Sequence, residues 1–317
     1  MKILITGFAG FVSRHFLNFL AALNENFFVI GLDRNKIHFD TNQYENITCE
    51  FVQSDLKDKE APLKILQTFA PEYILHLASV SSVSYSWQHP AEVFTNNNTI
   101  FLNLLEAAKE YGKTIRILST GTADVYGITA NEKPAIQETD AIHPANPYAA
   151  GKASQEMIAK IYADSFGLNI IQTRSFPHFG AYQKENFVLA KFAKALTQIK
   201  KNKQAPELIT GNIDVVRDLT DVRDVAKAYY LLLQHGKSEI YNVCSGKGRR
   251  LRDALNEMQQ QLSINVELKL DESLLRKGEI LSIIGSNEKI KSDTGWHPEI
   301  PFEKSIAELL EYWNEQL

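Results

Sequence analysis

Short apolar runs alternate with stretches of helical spacing along the first half of the chain. Ile3–Thr6 reads as a buried strand, and Phe11, Phe16, Phe19, Leu20 and Leu23 then recur at the interval of one helix face. Further strands are predicted at Phe27–Leu32, Cys49–Gln53, Tyr73–Leu77, Ile115–Ser119 and Asn169–Thr173, with helices around 61–69, 91–111 and 147–166. Near-continuous apolar strands separated by helices suit right-handed crossovers and a parallel sheet covered on both faces. Beyond about residue 176 the alternation loosens. A basic helical stretch covers 184–201, and a polar loop follows through Pro206. Arg223–Gln234 places Val225, Ala228, Tyr229 and Leu232 on one helix face, with Asp221 positioned to cap its start. Leu251–Leu262 and Phe302–Trp313 are further helices. The pattern predicts an α/β protein in two parts. Residues 1–176 form the main domain, with 214–245 returning to it, and 177–317 form a smaller C-terminal α/β lobe over the carboxyl edge of the sheet.

Composition narrows this picture only slightly. The 317 residues are enough for two closely packed domains, and 44% hydrophobic with 23% charged content is ordinary for a soluble globular chain. A net charge of −4 offers nothing to nucleic acid or an anionic membrane. No run approaches the roughly 18 apolar residues that span a bilayer. The apolar start is broken by Gly7, Gly10 and Arg14, unlike a signal peptide. Cys49 and Cys244 lie far apart with no ligand-like spacing, so no metal is expected and a reducing, cytoplasmic setting is.

The first strand runs straight into Gly7-Phe-Ala-Gly10-Phe-Val-Ser13, a Gly-x-x-Gly-x-x-Gly turn with Ser13 in the last place. Glycines there permit a tight turn and close backbone approach to a diphosphate, and the helix beginning at Phe11 and Val12 offers free N–H groups. This predicts a Rossmann-type doubly wound sheet with a dinucleotide on Gly7, Gly10, Phe11 and Val12. Asp33 ends the second strand, where a carboxylate accepts the hydroxyls of an adenosine ribose and repels a 2′-phosphate. Arg34 beside it is the opposite signal. NAD is the expected cofactor, with NADP possible. Asp55 and Leu56, just after the third strand, are placed for the adenine.

Tyr148-Ala-Ala-Gly-Lys152 follows Thr122 and Tyr126 in the chain. A free phenol has a pKa near 10 and is a poor base at neutral pH. A fixed ammonium one helical turn away stabilises the phenolate, so Tyr148 can exchange a proton with a substrate oxygen. Thr122 can orient the same oxygen. The constellation predicts hydride transfer at an alcohol or ketone.

At this point the chain resembles the extended short-chain dehydrogenase/reductases that modify nucleotide-activated sugars. The likeness is carried by Thr6–Phe11, His76–Ser79, Asn97, Thr122–Gly127, Tyr148–Lys152 and Arg174–Gly180. Val216–Asp224, Tyr241–Gly246, Leu275–Glu279, Ile284–Lys289 and Thr294–Trp296 are similar to GDP-mannose 4,6-dehydratases and, more closely, to GDP-4-keto-6-deoxy-mannose reductases. The resemblance implies further cofactor contacts at Leu77, Ala78, Ser79, Phe176 and His178, and a substrate contact at Ser82. It implies that Arg217 and Arg276 grip a substrate diphosphate, that Glu279 holds a ribose hydroxyl, and that Lys191 lies near the nucleotide. An alternative for Arg217 is a salt bridge within its own acidic run, Asp214, Asp218 and Asp221.

The sequence departs from that group twice. Where its dehydratases carry an acid–base Glu, this chain has Asp124, one methylene shorter, which disfavours a geometry-sensitive elimination. Where the group usually has Asn, it has Pro177, so a substrate contact is lost or replaced by His178. The expected activity is NAD(P)H-dependent reduction of the 4-keto group of a nucleotide-diphosphate deoxysugar. The alternatives are a 4,6-dehydratase or 4-epimerase and, in a different class, a non-catalytic cofactor sensor. Relatives imply a homodimer formed through 91–111 and 147–166.

Overall fold

The computed structural model describes residues 1–274 and 279–317. The strands are β1 (Lys2–Thr6), β2 (Phe27–Asp33), β3 (Ile47–Gln53), β4 (Tyr73–His76), β5 (Arg116–Thr120), β6 (Asn169–Ser175) and β7 (His178–Phe179), then β8 (Glu207–Thr210), β9 (Val216–Asp218), β10 (Thr220–Asp221), β11 (Ile240–Val243), β12 (Gly248–Arg250), β13 (Glu267–Leu270) and β14 (Ser282–Ile283). Seven of them form a parallel sheet in the order β11-β6-β5-β4-β1-β2-β3. The order reverses between β1 and β4, and it is outside the carboxyl ends of strands at such a switch that a doubly wound sheet leaves a crevice.

The helices are α1 (Phe11–Ala21), α2 (Ala61–Phe69), α3 (Val83–Gln88), α4 (Pro90–Tyr111), α5 (Pro147–Phe166), α6 (Val188–Lys200), α7 (Val222–His235), α8 (Leu251–Leu262), α9 (Glu288–Thr294) and α10 (Phe302–Gln316). Alternate residues of each strand point to opposite faces. Ile3 and Ile5 of β1 join Leu75, Leu118 and Ile171 against Phe16, Leu20, Tyr229 and Leu232 of α1 and α7. Leu4 joins Ile30, Ile74, Ile117 and Ile170 against Phe101, Leu104 and Leu105 of α4. Both faces are therefore dry, which explains why the strands read as continuous apolar runs.

The strand and helix expectations hold to within a few residues, with instructive exceptions. β4 stops at His76 because the chain turns there, Leu77 donating back to the Thr6 carbonyl at 3.1 Å. The Asp221 carboxylate does cap α7, accepting the Arg223 N–H at 2.8 Å. α5 starts where Asn146 accepts the Ala149 N–H at 2.8 Å with Pro147 in the first helical position, and ends at Gly167 in the left-handed conformation. The short helices α3 and α9 and a 3₁₀ segment at Ala123–Glu132 carry too little periodicity to be read from sequence.

A second core unites α6, α8 and α10, with Phe192, Leu196, Leu255, Met258, Ile306 and Leu309 buried together. Beside it β9 is flanked by antiparallel β12 and parallel β14, while β7 pairs with β10 and β8 with β13. Among the described residues no helix is long and apolar enough to cross a membrane.

Candidate active site

The glycine turn joins β1 to α1 with no room for side chains. Gly7 adopts φ +72°, and a Cβ there would lie 2.7 Å from the Ala78 nitrogen. Gly10 donates to the Gly7 carbonyl at 3.0 Å. Ser13, in place of a third glycine, is buried and donates into the same turn, to Gly10 O at 2.7 Å and to Phe8 O. Its hydroxyl is thereby absorbed at the crowded strand–helix contact. Asp33 reaches the turn from the end of β2, with Oδ2 accepting the Ala9 N–H at 3.0 Å and Oδ1 the Asn35 N–H at 2.8 Å. Arg34 next to it is exposed. Asp55 is exposed at the end of β3, accepting the Lys57 N–H at 2.9 Å, above a buried Leu56.

The chain after β4 closes over the turn. Ala78 donates to the Thr6 hydroxyl at 3.3 Å, and the neighbouring Ser79 Oγ is buried without a partner. A buried orphan hydroxyl beside a diphosphate-sized glycine turn suits a polar ligand. The His178 ring stacks on Phe11 with centroids 5.8 Å apart, its Nδ1 3.1 Å from the Phe176 carbonyl. Burial holds the imidazole below its usual pKa, so it is neutral. Val12 is half-buried on the same helix start. The Phe176 ring packs in a buried cluster with Tyr126, Ala123 and Cys244.

Tyr148 and Lys152 stand one turn apart on the inner face of α5, 8% and 2% exposed. Lys152 Nζ donates to the Thr120 carbonyl at the end of β5, at 2.7 Å. Burial depresses its pKa to about 8, against a smaller opposing pull from Glu156. Burial raises the Tyr148 phenol well above its ordinary value, helped by the Asp124 charge and then by Tyr229. Thr122 accepts the Asp124 N–H at 3.2 Å, which leaves the Thr122 hydroxyl hydrogen to be donated elsewhere. The structure thus brings Tyr148, Lys152, Thr122 and Asp124 to the carboxyl ends of β5 and β6.

Beneath them lies a set of groups that sequence reading assigned no role. The Thr120 hydroxyl donates to the His76 carbonyl at 2.9 Å, and His76 Nδ1 pairs with the Thr6 hydroxyl at 2.8 Å. His76 is held neutral, near 3, by burial and by the Lys152 charge. One turn beyond Lys152, Glu156 makes a buried ion pair with Arg174 of β6, at 2.8 Å. The polar run Gln172-Thr-Arg174 in the otherwise buried β6 was the available signal, since charge inside a parallel strand must have a partner.

Ser82, after β4, caps α3, accepting the Tyr85 N–H at 3.3 Å. Lys191 is exposed on α6, and its charge helps lower the Asp271 carboxyl, after the hydrogen bonds from Ser273. Arg217 lies in β9, donating to the Val216 carbonyl at 2.8 Å. Its acidic neighbours have other engagements. Asp214 pairs with Arg252 at 2.7 Å and Asp221 with Arg223 at 2.7 Å. Asp218 is buried and accepts N–H bonds from Ser245, Gly246 and Gly285 at 2.7, 2.9 and 3.2 Å. Glu279 accepts from the Asn212 amide at 2.9 Å. Arg276 lies outside the described residues. Among the described residues no group of three His, Cys, Asp or Glu is placed to hold a metal.

The family described as GDP-mannose 4,6 dehydratase matches residues 4–309, nearly the whole chain. This chain belongs to that family. A GDP-6-deoxy-D-mannose reductase from Pseudomonas aeruginosa is 31% identical over 317 residues, covering 100% of this chain and 98% of the relative. The solved structure of RMD from Pseudomonas aeruginosa, complexed with NADPH, is similar at a TM-score of 0.87 and 30% identity, covering 100% and 99% of the two chains. A UDP-glucose 4-epimerase from Thermus thermophilus, in complex with NAD, is similar at a TM-score of 0.85 and 29% identity, with 100% coverage of both. Pro177 stands just before β7. There the proline offers only its carbonyl, which accepts the Thr220 N–H at 3.0 Å.

Proposed function

We propose that this protein reduces the 4-keto group of a nucleotide-diphosphate deoxysugar of the GDP-4-keto-6-deoxy-mannose type, using NADH or NADPH. The observation that carries the reading is the buried Tyr148–Lys152 pair with Asp124 beside it. The bound nicotinamide cofactor supplies the hydride. Tyr148 is protonated at neutral pH because its phenol is raised, so it can deliver a proton to the developing alkoxide. Lys152 stabilises the phenolate left behind, and Thr122 donates to the same oxygen and orients it. Asp124 falls a methylene short of the reach that a family elimination uses, which supports plain reduction. In a purified-protein assay with GDP-4-keto-6-deoxy-mannose, NADH or NADPH should be consumed, and no consumption would overturn the reading. The family's own description keeps a dehydratase as the second reading. Turnover of the unreduced nucleotide sugar without added reductant would establish it instead.

The ammonium form of Lys152 is the working form. Its pKa of about 8 puts the charge in place below that pH and removes it above. Reductive kcat should therefore fall through a single ionisation near pH 8, and a Lys152→Met variant should be slow and lack that limb in a stopped-flow pH series.

Asp33 supports NADH as the better donor, since its carboxylate faces the turn where an adenosine ribose would lie. Replacing Asp33 with Ala should lower the NADH-to-NADPH ratio of kcat/KM by about tenfold, the worth of a charged hydrogen bond. An unchanged ratio would remove Asp33 from cofactor choice.

A homodimer is supported by the outer faces of α4 and α5. Phe94, Met157 and Ile161 stand 42%, 60% and 56% exposed there, too apolar a face to leave in water. Met157→Asp with Ile161→Asp should convert a dimer to a monomer in sedimentation velocity. The free thiols of Cys49 and Cys244 agree with a reducing, cytoplasmic setting. Residues 1–176 with 214–245 are proposed as the cofactor domain, and the rest of 177–317 as the substrate lobe.

A further inference from the structure

We propose that Asn212 is the positioning residue that presents Glu279 to the ribose of the substrate nucleotide, and so makes the site select nucleotides with intact ribose hydroxyls. This rests on the reading of Arg217 and Glu279 as the nucleotide-diphosphate side of the cleft. Asn212 is held on both sides of its amide. Its side-chain oxygen accepts the Asp214 N–H at 3.0 Å, which fixes the direction of the amide. The amide nitrogen is then turned to donate to Glu279 Oε2 at 2.9 Å. With that oxygen occupied, Oε1 is the oxygen left for hydroxyl donors.

The backbone on both sides is anchored to the same place. Gly211 lies against Leu274, where a Cβ would come within 3.1 Å of the Leu274 carbonyl oxygen and side chain. After Glu279 the chain is held by Asn131, whose side-chain oxygen accepts the Leu281 and Ser282 N–H groups at 2.8 and 3.1 Å. Val216 donates to the Leu281 carbonyl at 2.8 Å, and Ile283 stands beside Arg217 in the β9–β14 register. Glu279 is thus delivered to the strand that carries Arg217, and Asn212 sets the rotation of its carboxylate about the remaining free bonds. A flexible carboxylate must be ordered when the ribose binds, which weakens the gain from its hydrogen bonds. A clamped one has been ordered already. Asn131 lies in the segment that also carries Thr122 and Asp124, so the ribose and sugar ends of the cleft share one framework.

The test is equilibrium binding of GDP and 2′,3′-dideoxy-GDP to the full-length protein with its cofactor present. The wild type should prefer GDP by about tenfold or more, the worth of hydrogen bonds to a charged acceptor. Glu279→Ala should erase most of that preference. Asn212→Ala should reduce it severalfold, to within about threefold, while leaving the affinity for dideoxy-GDP unchanged, because the diphosphate grip is untouched. If Glu279→Ala keeps the preference, the ribose reading of Glu279 fails and the inference falls with it. If Glu279→Ala erases it and Asn212→Ala does not, Glu279 stands and Asn212 is overturned. Equal weakening of both ligands by Asn212→Ala would also overturn it, since that is the signature of a merely structural amide. Should Asn212→Ala not fold, Asn212→Ser is titrated in its place and read by the same criteria.

Discussion

Replacing Tyr148 with phenylalanine is expected to lower kcat for keto-sugar reduction by about 10²- to 10⁴-fold, the usual contribution of a positioned acid–base group. Only the hydroxyl is removed, so the ring still fills its buried place on α5 and stability should change little. Cofactor binding should survive, because the glycine turn, Asp33 and the β4 end are assembled by other elements. The expected outcome is a variant that titrates normally with NADH by fluorescence quenching and turns over slowly at saturation. Lys152 sharpens the expectation. Its ammonium is fixed by the Thr120 carbonyl, so the charge remains although it has no phenol to act on. An activity loss of less than about tenfold would mean that another group delivers the proton, and Asp124 would be the residue to substitute next.

The second large effect is on stability. Arg174→Met should destabilise the fold by about 3–5 kcal/mol, because it strands the Glu156 carboxylate inside the protein. The pair is 6% and 7% exposed, and Arg174 binds both carboxylate oxygens through Nε and Nη2. Its Nη1 also donates to the Glu138 carbonyl at 3.0 Å, and its guanidinium lies 4.7 Å over the Tyr126 ring. Tyr126 in turn donates to Asn242 of β11 at 2.7 Å. Removing Arg174 therefore loosens α5, the Ala123–Glu132 segment and the edge of the sheet together. The double variant Arg174→Met, Glu156→Leu removes both charges and should recover most of the loss, since an apolar pair of similar volume is often no worse than a buried ion pair. Urea denaturation of both variants measures this. Recovery without activity would further separate the pair's structural role from its effect on Lys152, one turn away.

Much of the site was legible because its chemistry is local. The glycine turn needs only a few consecutive residues, and Tyr148 with Lys152 needs only the helical repeat. Asp33 could be placed because a strand end is defined by its own apolar run. What escaped was chemistry assembled across the chain. His76, Thr120 and Thr6 meet through hydrogen bonds across three strands, and Glu156 meets Arg174 across a helix and a strand. Asn212 was invisible for the same reason: nothing in Gly211-Asn-Ile-Asp214 announces a partner 67 residues away. The acidic run around Arg217 illustrates the converse. Sequence proximity suggested an ion pair with Arg217; Asp221 pairs locally with Arg223, whereas Asp214 and Asp218 engage Arg252 and Ser245, groups brought from farther along the chain by folding.

By itself the sequence determined the class of the sheet, the glycine turn that follows β1 and the placing of Tyr148 and Lys152 on one face of a helix. Periodicity, glycine spacing and helical i, i+4 geometry are properties of short segments, so they survive without the fold. Only the tertiary structure decided how charged those groups are and where they are held. Burial lowers Lys152, raises Tyr148 and keeps His76 neutral, and burial is a property of the whole packed molecule. It likewise decided that Glu279 is clamped, because the amide that clamps it arrives on a different strand-bearing segment.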